Sequence, residues 1–147
     1  MSVESVTPTT LVTGASGFVG RHALAPLVAL GHRVVAVSRR RPSWAPANVR
    51  WLEADLLDDA DRERTVAAAG ATHLLHFAWY AEHGKFWHAP ENRRWADASV
   101  DLFARFASAG GRRTVGSGSC AEYDWTRQGV EAFVEGDEPG APQTSYG

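Results

Sequence analysis

The feature that most constrains the fold is a glycine-rich turn near the start of the chain. Glycines stand at positions 14, 17 and 20, between the short apolar run of Leu11 and Val12 and a helical pattern. A strand, a glycine turn and a helix, in that order, form the context of a phosphate-binding turn. The free N–H groups that open the helix point at the anion, and the helix dipole favours its charge. We expect Gly14 to permit the turn, Gly17 to leave room for a diphosphate and Gly20 to permit close helix–sheet packing.

Apolar runs and helical patterns alternate along the whole chain, which indicates the α/β class. Strands are predicted at 9–13, 34–37, 49–53, 73–78 and 114–116, and helices at 18–30, 58–69 and 91–109. Such alternation predicts a Rossmann-type doubly wound parallel sheet with helices on both faces. Pro26 stands inside the first helix, so we expect a bend or a shortened first part there. Ligands of such sheets bind beyond the carboxyl ends of the strands.

Composition limits the classes of partner and location. The chain has 147 residues, 44% hydrophobic and 22% charged, which fits a single soluble domain with its own core. A net charge of -2 gives no reason to expect nucleic acid or an anionic membrane as a partner. The single cysteine excludes an intrachain disulfide, and no apolar run reaches the ~20 residues of a membrane span. We expect a cytoplasmic protein.

Three stretches carry a resemblance to a known family. The spacing Gly-x-x-Gly-x-x-Gly resembles the turn of the short-chain dehydrogenase/reductase superfamily, especially its extended branch of NAD(P)-dependent sugar-nucleotide epimerases, dehydratases and reductases. Residues 117–123 resemble the family's Ser-Ser-x-x-x-Tyr-Gly stretch, and residues 137–147 resemble its Glu-x-Pro…Pro…Ser-x-Tyr-Gly stretch. The resemblance implies hydride transfer at a carbinol or ketone carbon of a nucleotide-activated sugar, by 4-keto reduction or epimerisation, and the arginine run 39–41 favours NADPH-consuming 4-keto reduction.

The resemblance also implies which residues contact the dinucleotide, at the glycine turn and at the strand ends. They are Gly14, Ser16, Gly17, Phe18, Val19, Gly20, Ser38, Arg39, Arg40, Asp55, Leu56, Phe77, Ala78, Trp79 and Ser117. Asp55 would accept a hydrogen bond from the adenine amine. An N-cap of the next helix is the other interpretation of this residue, and both remain open.

The second strand is followed by arginines 39–41, where a site for NAD usually carries a carboxylate for the ribose diol. A guanidinium suits a 2′-phosphate instead, through charge-assisted and often bidentate hydrogen bonds. We therefore expect NADP(H) to be favoured over NAD(H), with Arg39 as the main contact. A solvated basic loop is the alternative.

The resemblance implies two catalytic residues. Tyr146 would exchange the hydroxyl proton, and Ser119 would hold the same oxygen and stabilise its developing charge. Tyr80, Cys120 and Tyr123 are expected close to the substrate.

The segment 79–88 is rich in aromatic and polar side chains, and it either walls off the substrate or packs as a lid on the domain's own core. The family's asparagine in the following helix has no counterpart near 95–98. Asn92 lies one turn early and remains unassigned. His73 and His76 are three apart on a strand and point to opposite faces, so no metal site is expected.

The family's lysine four residues after its tyrosine would fall beyond Gly147, as would its substrate-binding part. The resemblance therefore covers a cofactor-binding domain, 1–147, incomplete at its C-terminus. An unperturbed tyrosine, with a pKa of about 10, is a poor base at neutral pH. We expect weak cofactor binding and little turnover from this chain alone. A non-catalytic dinucleotide-binding module or an inactive fragment is the alternative, and a lysine three positions past the end would favour the enzyme. Helix 91–109 is the expected homodimer contact.

Overall fold

The computed structural model describes residues 7–126, 132–134, 140 and 142–147. Its strands are β1 (Thr9–Thr13), β2 (Arg33–Ser38), β3 (Arg50–Glu53), β4 (His73–His76) and β5 (Arg113–Gly116), and its helices are α1 (Phe18–Ala29), α2 (Asp59–Ala69) and α3 (Glu91–Ser108). The strands form one parallel sheet in the order β3-β2-β1-β4-β5. The predicted Rossmann-type α/β fold is confirmed.

The sheet separates two apolar cores, because β1 and β2 are buried on both faces. Leu11 of β1 belongs to the core that contains Leu102 of α3 and the apolar residues of α2. Its neighbour Val12 belongs to the opposite core, which contains Leu24 of α1. Successive strand residues point to opposite faces, so a continuous apolar run supplies both cores at once.

The ends of α1 follow its sequence. The helix begins at Phe18, as predicted, and continues through Pro26 to Ala29, so the expectation of a shortened first part is wrong. At its end, the Gly31 N–H donates to the Val28 carbonyl at 2.9 Å and the His32 N–H donates to the Leu27 carbonyl at 3.0 Å. This is a Schellman motif, and Gly31 supplies its positive φ of 82°.

The start of α2 decides whether Asp55 is the N-cap of that helix. Asp58 is the N-cap, and its Oδ1 accepts from the Asp61 N–H at 2.9 Å. Asp55 instead accepts from the Leu57 N–H at 3.0 Å, which is a local turn of the chain before the helix. The N-cap interpretation of Asp55 is therefore wrong.

A buried arginine joins α2 to α3. The Arg62 guanidinium donates to the Leu56 carbonyl at 3.0 Å, to Asp59 at 3.0 Å and to Asp101 at 2.6 Å. Hydrogen bonds from Arg105 and Arg62 hold the pKa of Asp101 below its usual value. These bonds fix the loop at the carboxyl end of β3 against both helices. Within the described ranges, no helix combines the length and the apolar character needed to cross a bilayer.

Candidate cofactor and active site

The glycine turn packs against the end of β4. Gly14 has a φ of +61°, and a Cβ added there would lie 2.6 Å from the Phe77 carbonyl carbon and 2.7 Å from the Ala78 nitrogen. A Cβ added at Gly20 would lie 2.9 Å from the Gly14 carbonyl carbon. The close approach that Gly20 permits is therefore between α1 and the turn, whereas Gly14 brings the turn against the segment after β4.

The first turn of α1 is left open to an anion. Its N-cap, Gly17, makes no side-chain cap hydrogen bond, and its first turn contains no acidic residue. The first turn of α2, in contrast, is capped by Asp58 and carries two aspartates. Ser16, Gly17, Phe18 and Val19 are all exposed, so solvent reaches the uncapped N–H groups. Free donors and the positive end of the helix dipole fit a diphosphate at this position.

The carboxyl end of β2 is shaped by a serine. The Ser38 hydroxyl donates to the Arg40 carbonyl at 2.6 Å and accepts from the Trp51 indole N–H at 2.9 Å. Arg39 and Arg40 are exposed beside it. The structure therefore presents the two guanidinium groups at the strand end, while Ser38 holds the backbone that carries them.

A carboxylate that the sequence reasoning missed lies beside the arginine run. The β2–β3 register pairs Ser38 with Glu53, and the Glu53 Oε1 accepts from the Arg41 N–H at 2.8 Å. The residues that directly follow β2 in the chain include no such carboxylate. The parallel pairing of β2 with β3 brings Glu53 to this position, so a strand register is needed to find it.

The carboxyl end of β3 exposes one of its two predicted cofactor residues. Leu56 is 4% exposed, and its carbonyl accepts from Arg62. Asp55 is exposed. A ligand at this strand end therefore meets the Asp55 carboxylate rather than the Leu56 side chain.

The three predicted cofactor residues after β4 have different surroundings. Ala78 is 8% exposed and lies where a Gly14 Cβ would fall. Phe77 is half-buried against the core next to α1. Trp79 is half-buried, and its indole N–H donates to the Asn92 Oδ1 at 3.1 Å. Ala78 is thus part of the turn's support.

His76 forms a directed chain of hydrogen bonds. The Ser99 hydroxyl donates to the Trp95 carbonyl at 2.7 Å, so it accepts from the His76 Nε2–H at 2.9 Å. The Nδ1 of His76 then accepts from the Thr13 hydroxyl at 2.7 Å, and the Thr13 oxygen accepts from the Ala78 N–H at 3.4 Å. One neutral tautomer satisfies all four bonds. These hydrogen bonds link Thr13, the residue before the glycine turn, to β4 and α3.

Burial reinforces the neutral state of His76. It is 6% exposed, and its ring lies edge-on to Phe103 with centroids 5.2 Å apart. Desolvation lowers its pKa to about 4. His73 contacts a different neighbour, the His32 ring, at 5.7 Å. Among the described residues, no three His, Cys, Asp or Glu side chains form a possible metal site.

The segment after β5 carries Ser117 and Ser119. The Ser117 N–H donates to the His76 carbonyl at 3.1 Å, which extends the pairing of β5 with β4. Ser119 caps the 3-10 turn Cys120–Glu122, and its Oγ accepts from the Ala121 N–H at 3.2 Å. Because Ser119 acts only as an acceptor in this bond, its hydroxyl hydrogen remains available for another group.

The segment of Tyr146 lies against the segment of Ser119. A Cβ added at Gly147 would collide with the Ala121 backbone. The half-buried Tyr146 ring contacts Phe86 and Trp87, with centroids 4.7 and 5.6 Å away. Its phenol oxygen makes no hydrogen bond to another described residue. The family-like residues 137–139 lie outside the described residues.

The three residues expected near the substrate differ in surroundings. The Tyr80 hydroxyl donates to the Glu82 carboxylate at 2.9 Å, and this bond raises the pKa of Tyr80. Cys120 is an exposed free thiol. The Tyr123 ring stacks on Phe133 with centroids 4.6 Å apart. Tyr80 thus lies on the surface of the segment 79–88.

Asn92 is a site residue that the sequence left unassigned. Its side chain is fully buried in the first turn of α3. Its amide group donates to the Phe86 carbonyl at 2.6 Å and to the Ser145 hydroxyl at 3.4 Å, and accepts from Trp79. None of the three partners could be found from sequence spacing, because two come from the segment 79–88 and the third is Ser145, far along the chain.

The parallel sheet, the open first turn of α1 and the strand ends beside it define a Rossmann-type nucleotide-binding domain. A family model agrees over nearly the whole chain. Residues 10–147 match the model described as the NAD dependent epimerase/dehydratase family. The chain belongs to this family, and the resemblance predicted from the sequence is confirmed.

Curated relatives are short matches within long proteins. Uncharacterized proteins of Mycobacterium tuberculosis and Mycobacterium bovis are 41% identical over 68 residues, which is 46% of this chain. The matched part is 8% of those proteins. These relatives therefore share a segment of this chain, and they have no described activity.

Solved structures share the fold over nearly the whole chain. A short-chain dehydrogenase/reductase superfamily protein from Agrobacterium tumefaciens with bound NAD is 25% identical, with a TM-score of 0.73, covering 94% of this chain and 40% of that one. The Bordetella bronchiseptica enzyme WbmG in complex with NAD and UDP is 22% identical (TM-score 0.76; 96% and 46% covered). UDP-glucose 4-epimerase from Brucella ovis in complex with NAD is 24% identical (TM-score 0.76; 95% and 43% covered). The chain thus spans less than half the length of each.

Proposed function

We propose that this chain is the cofactor-binding part of an oxidoreductase that acts on a nucleotide-activated sugar by hydride transfer, most directly by 4-keto reduction. The observation that carries the proposal is the placement of three segments at the carboxyl edge of the sheet. The uncapped first turn of α1 lies at this edge. The segments of Ser119 and Tyr146 follow β5 and contact one another through Gly147 and Ala121. The UDP bound to WbmG and the name of the Brucella ovis enzyme, UDP-glucose 4-epimerase, support the substrate class.

The residues that would hold the dinucleotide are those at this edge. The N–H groups of the first turn of α1 would bind the diphosphate, and Gly14 keeps the turn against Ala78. Asp55 would accept from the adenine amine. Bound there, the nicotinamide would supply the hydride for the chemistry. Ser119 and Tyr146 would act on the oxygen of the reacting carbon.

In 4-keto reduction, a hydride adds to the carbonyl carbon and its oxygen gains negative charge. The Tyr146 Oη would donate a proton to this oxygen, which becomes the hydroxyl of the product. The Ser119 Oγ–H would donate a hydrogen bond to the same oxygen and stabilise its charge in the transition state. The Ser119 Oγ already accepts from the Ala121 N–H, so its lone pair is oriented and its hydrogen is free.

We expect Tyr146→Phe to lower kcat of the intact gene product by about 10²- to 10⁴-fold, since it removes the proton donor. Ser119→Ala should lower kcat by about 10²- to 10³-fold, the usual effect of one lost donor to the oxyanion. NADPH oxidation with a nucleotide-linked 4-keto sugar measures both. Ser108→Ala is the control and should retain the activity, because Ser108 is exposed at the end of α3, before β5 rather than after it. Interconversion of C4 epimers without net NADPH oxidation would indicate an epimerase. Cofactor binding with neither reaction would indicate a binding module.

We further propose that NADP(H) is the favoured cofactor, because exposed Arg39 and Arg40 stand at the end of β2. Arg39→Met should weaken NADPH binding about tenfold and leave NADH binding little changed, the effect of one lost hydrogen bond to a charged group. Calorimetric titration of both cofactors measures it. Arg33→Met is the control, since Arg33 is exposed at the opposite end of the same strand. Tighter binding of NADH than of NADPH by the wild type would contradict the preference.

A further inference from the structure

From the sequence, the aromatic segment 79–88 is interpreted as a wall for the substrate or as a lid on the domain's own core. Neither interpretation includes its contact with Tyr146. Phe86 and Trp87 lie in the 3-10 turn Phe86–His88, and their ring centroids are 4.7 Å apart. Both rings also contact the Tyr146 ring, with interplanar angles of 55° and 72°. The three side chains thus form one aromatic cluster.

The side chain of Asn92 in α3 anchors this cluster. The buried Asn92 amide donates to the Phe86 carbonyl at 2.6 Å, the shortest of its three hydrogen bonds. The same amide donates to the hydroxyl of Ser145, the residue before Tyr146. One side chain of α3 therefore bonds to the backbone of Phe86 and to the side chain of the residue before Tyr146.

The Tyr146 segment has few other restraints among the described residues. The Tyr146 and Gly147 N–H groups donate to the Thr144 hydroxyl at 3.3 and 3.4 Å, which are local bonds within the segment. The rings of Phe86 and Trp87, from a distant part of the chain, pack against the Tyr146 ring. A side chain held on two sides by packed rings keeps one rotamer.

We propose that Phe86 and Trp87 are positioning residues that set the ring orientation of Tyr146, with Asn92 as their anchor. The importance of this orientation for catalysis rests on the proposed function of Tyr146. Trp87 is 45% exposed, so its ring lies at the surface of the cluster and its replacement does not open the protein core. Its effect on Tyr146 can therefore be separated from an effect on folding.

The test follows the ring-proton chemical shifts of selectively labelled tyrosine, with the Tyr146 signals assigned through Tyr146→Phe. Trp87→Leu should shift the Tyr146 signals and leave those of Tyr80 in place, because a neighbouring ring current is lost. Exchange of the Tyr146 and Gly147 amides should rise about three- to tenfold, the factor that corresponds to one aromatic pair. Trp87→Phe should restore part of both effects.

Trp44→Leu is the matched control. Trp44 is 47% exposed and meets Trp51 edge-on at 5.9 Å, which is close to the exposure and contact of Trp87. It should leave the Tyr146 signals in place, and Phe86→Leu is a second variant that should move them. Unmoved Tyr146 signals in both cluster variants, or an equal shift in the control, would overturn the proposal. Cofactor titration of the wild type tests the proposed function separately. If the cofactor does not bind, the chemical-shift evidence for the ring contact is unaffected.

Discussion

Replacing Gly14 with alanine should lower the free energy of unfolding by about 3 kcal/mol or more and abolish dinucleotide binding. Two costs add at this position. A non-glycine residue at a φ of +61° costs about 1–2 kcal/mol. The new methyl group would also lie 2.6 Å from the Phe77 carbonyl carbon, and such overpacking costs about 1–3 kcal/mol. Denaturant unfolding and cofactor titration measure the two losses.

Gly70 offers a matched control for the conformational cost alone. It ends α2 with a φ of +53°, and a Cβ added there meets nothing within 4 Å. Gly70→Ala should therefore cost only about 1–2 kcal/mol and leave cofactor binding unchanged. Equal losses for the two variants would show that the turn can move away from β4. The close packing of the turn would then not be what positions the first turn of α1.

The strands and helices could be predicted because their signals are local. The strands at 9–13 and 34–37 are buried on both faces, and the residues within each strand are enough to predict it. Glycines at 31 and 70 end their helices with positive φ angles. The exception is Pro26, for which the local rule predicted a disturbance, yet the helix continues through it to Ala29.

The parts of the site that sequence reasoning missed depend on contacts between separate segments. Glu53 reaches the arginine run only through the β2–β3 register. Asn92 meets three groups that lie 13, 6 and 53 positions away, which no spacing rule connects. The first could be inferred from strand order, and the second requires the coordinates.

His76 has a physical role in the fold that its sequence context did not reveal. The sequence placed it at the end of β4 and excluded a shared metal site with His73. The structure adds that its two ring nitrogens lie between the Thr13 and Ser99 hydroxyls. A protonated imidazole has a hydrogen on both nitrogens, so it could no longer accept from Thr13. The glycine turn is thus supported by a residue that must stay neutral.

This requirement predicts a loss of stability in acid. Burial lowers the folded-state pKa of His76 from 6.5 to about 4. As pH falls below 6.5, the unfolded chain binds a proton that the folded protein refuses, so stability declines until pH is near 4. At about 1.4 kcal/mol per pK unit, the full loss is about 3 kcal/mol. Urea unfolding at a series of pH values between 7 and 4 measures it.

His76→Gln isolates this contribution from that of the carboxylates. The variant should be less stable than the wild type at pH 7, because buried hydrogen bonds are lost. Its stability should nevertheless fall by about 3 kcal/mol less between pH 7 and pH 4, because glutamine does not titrate. The carboxylates, among them Asp101 with its lowered pKa, are present in both proteins, so their contribution cancels in the difference. His22→Gln, which replaces an exposed imidazole on α1, is the control. Parallel curves for His76→Gln and the wild type would show that His76 is protonated within the folded protein, and that the Thr13 bond does not hold the turn.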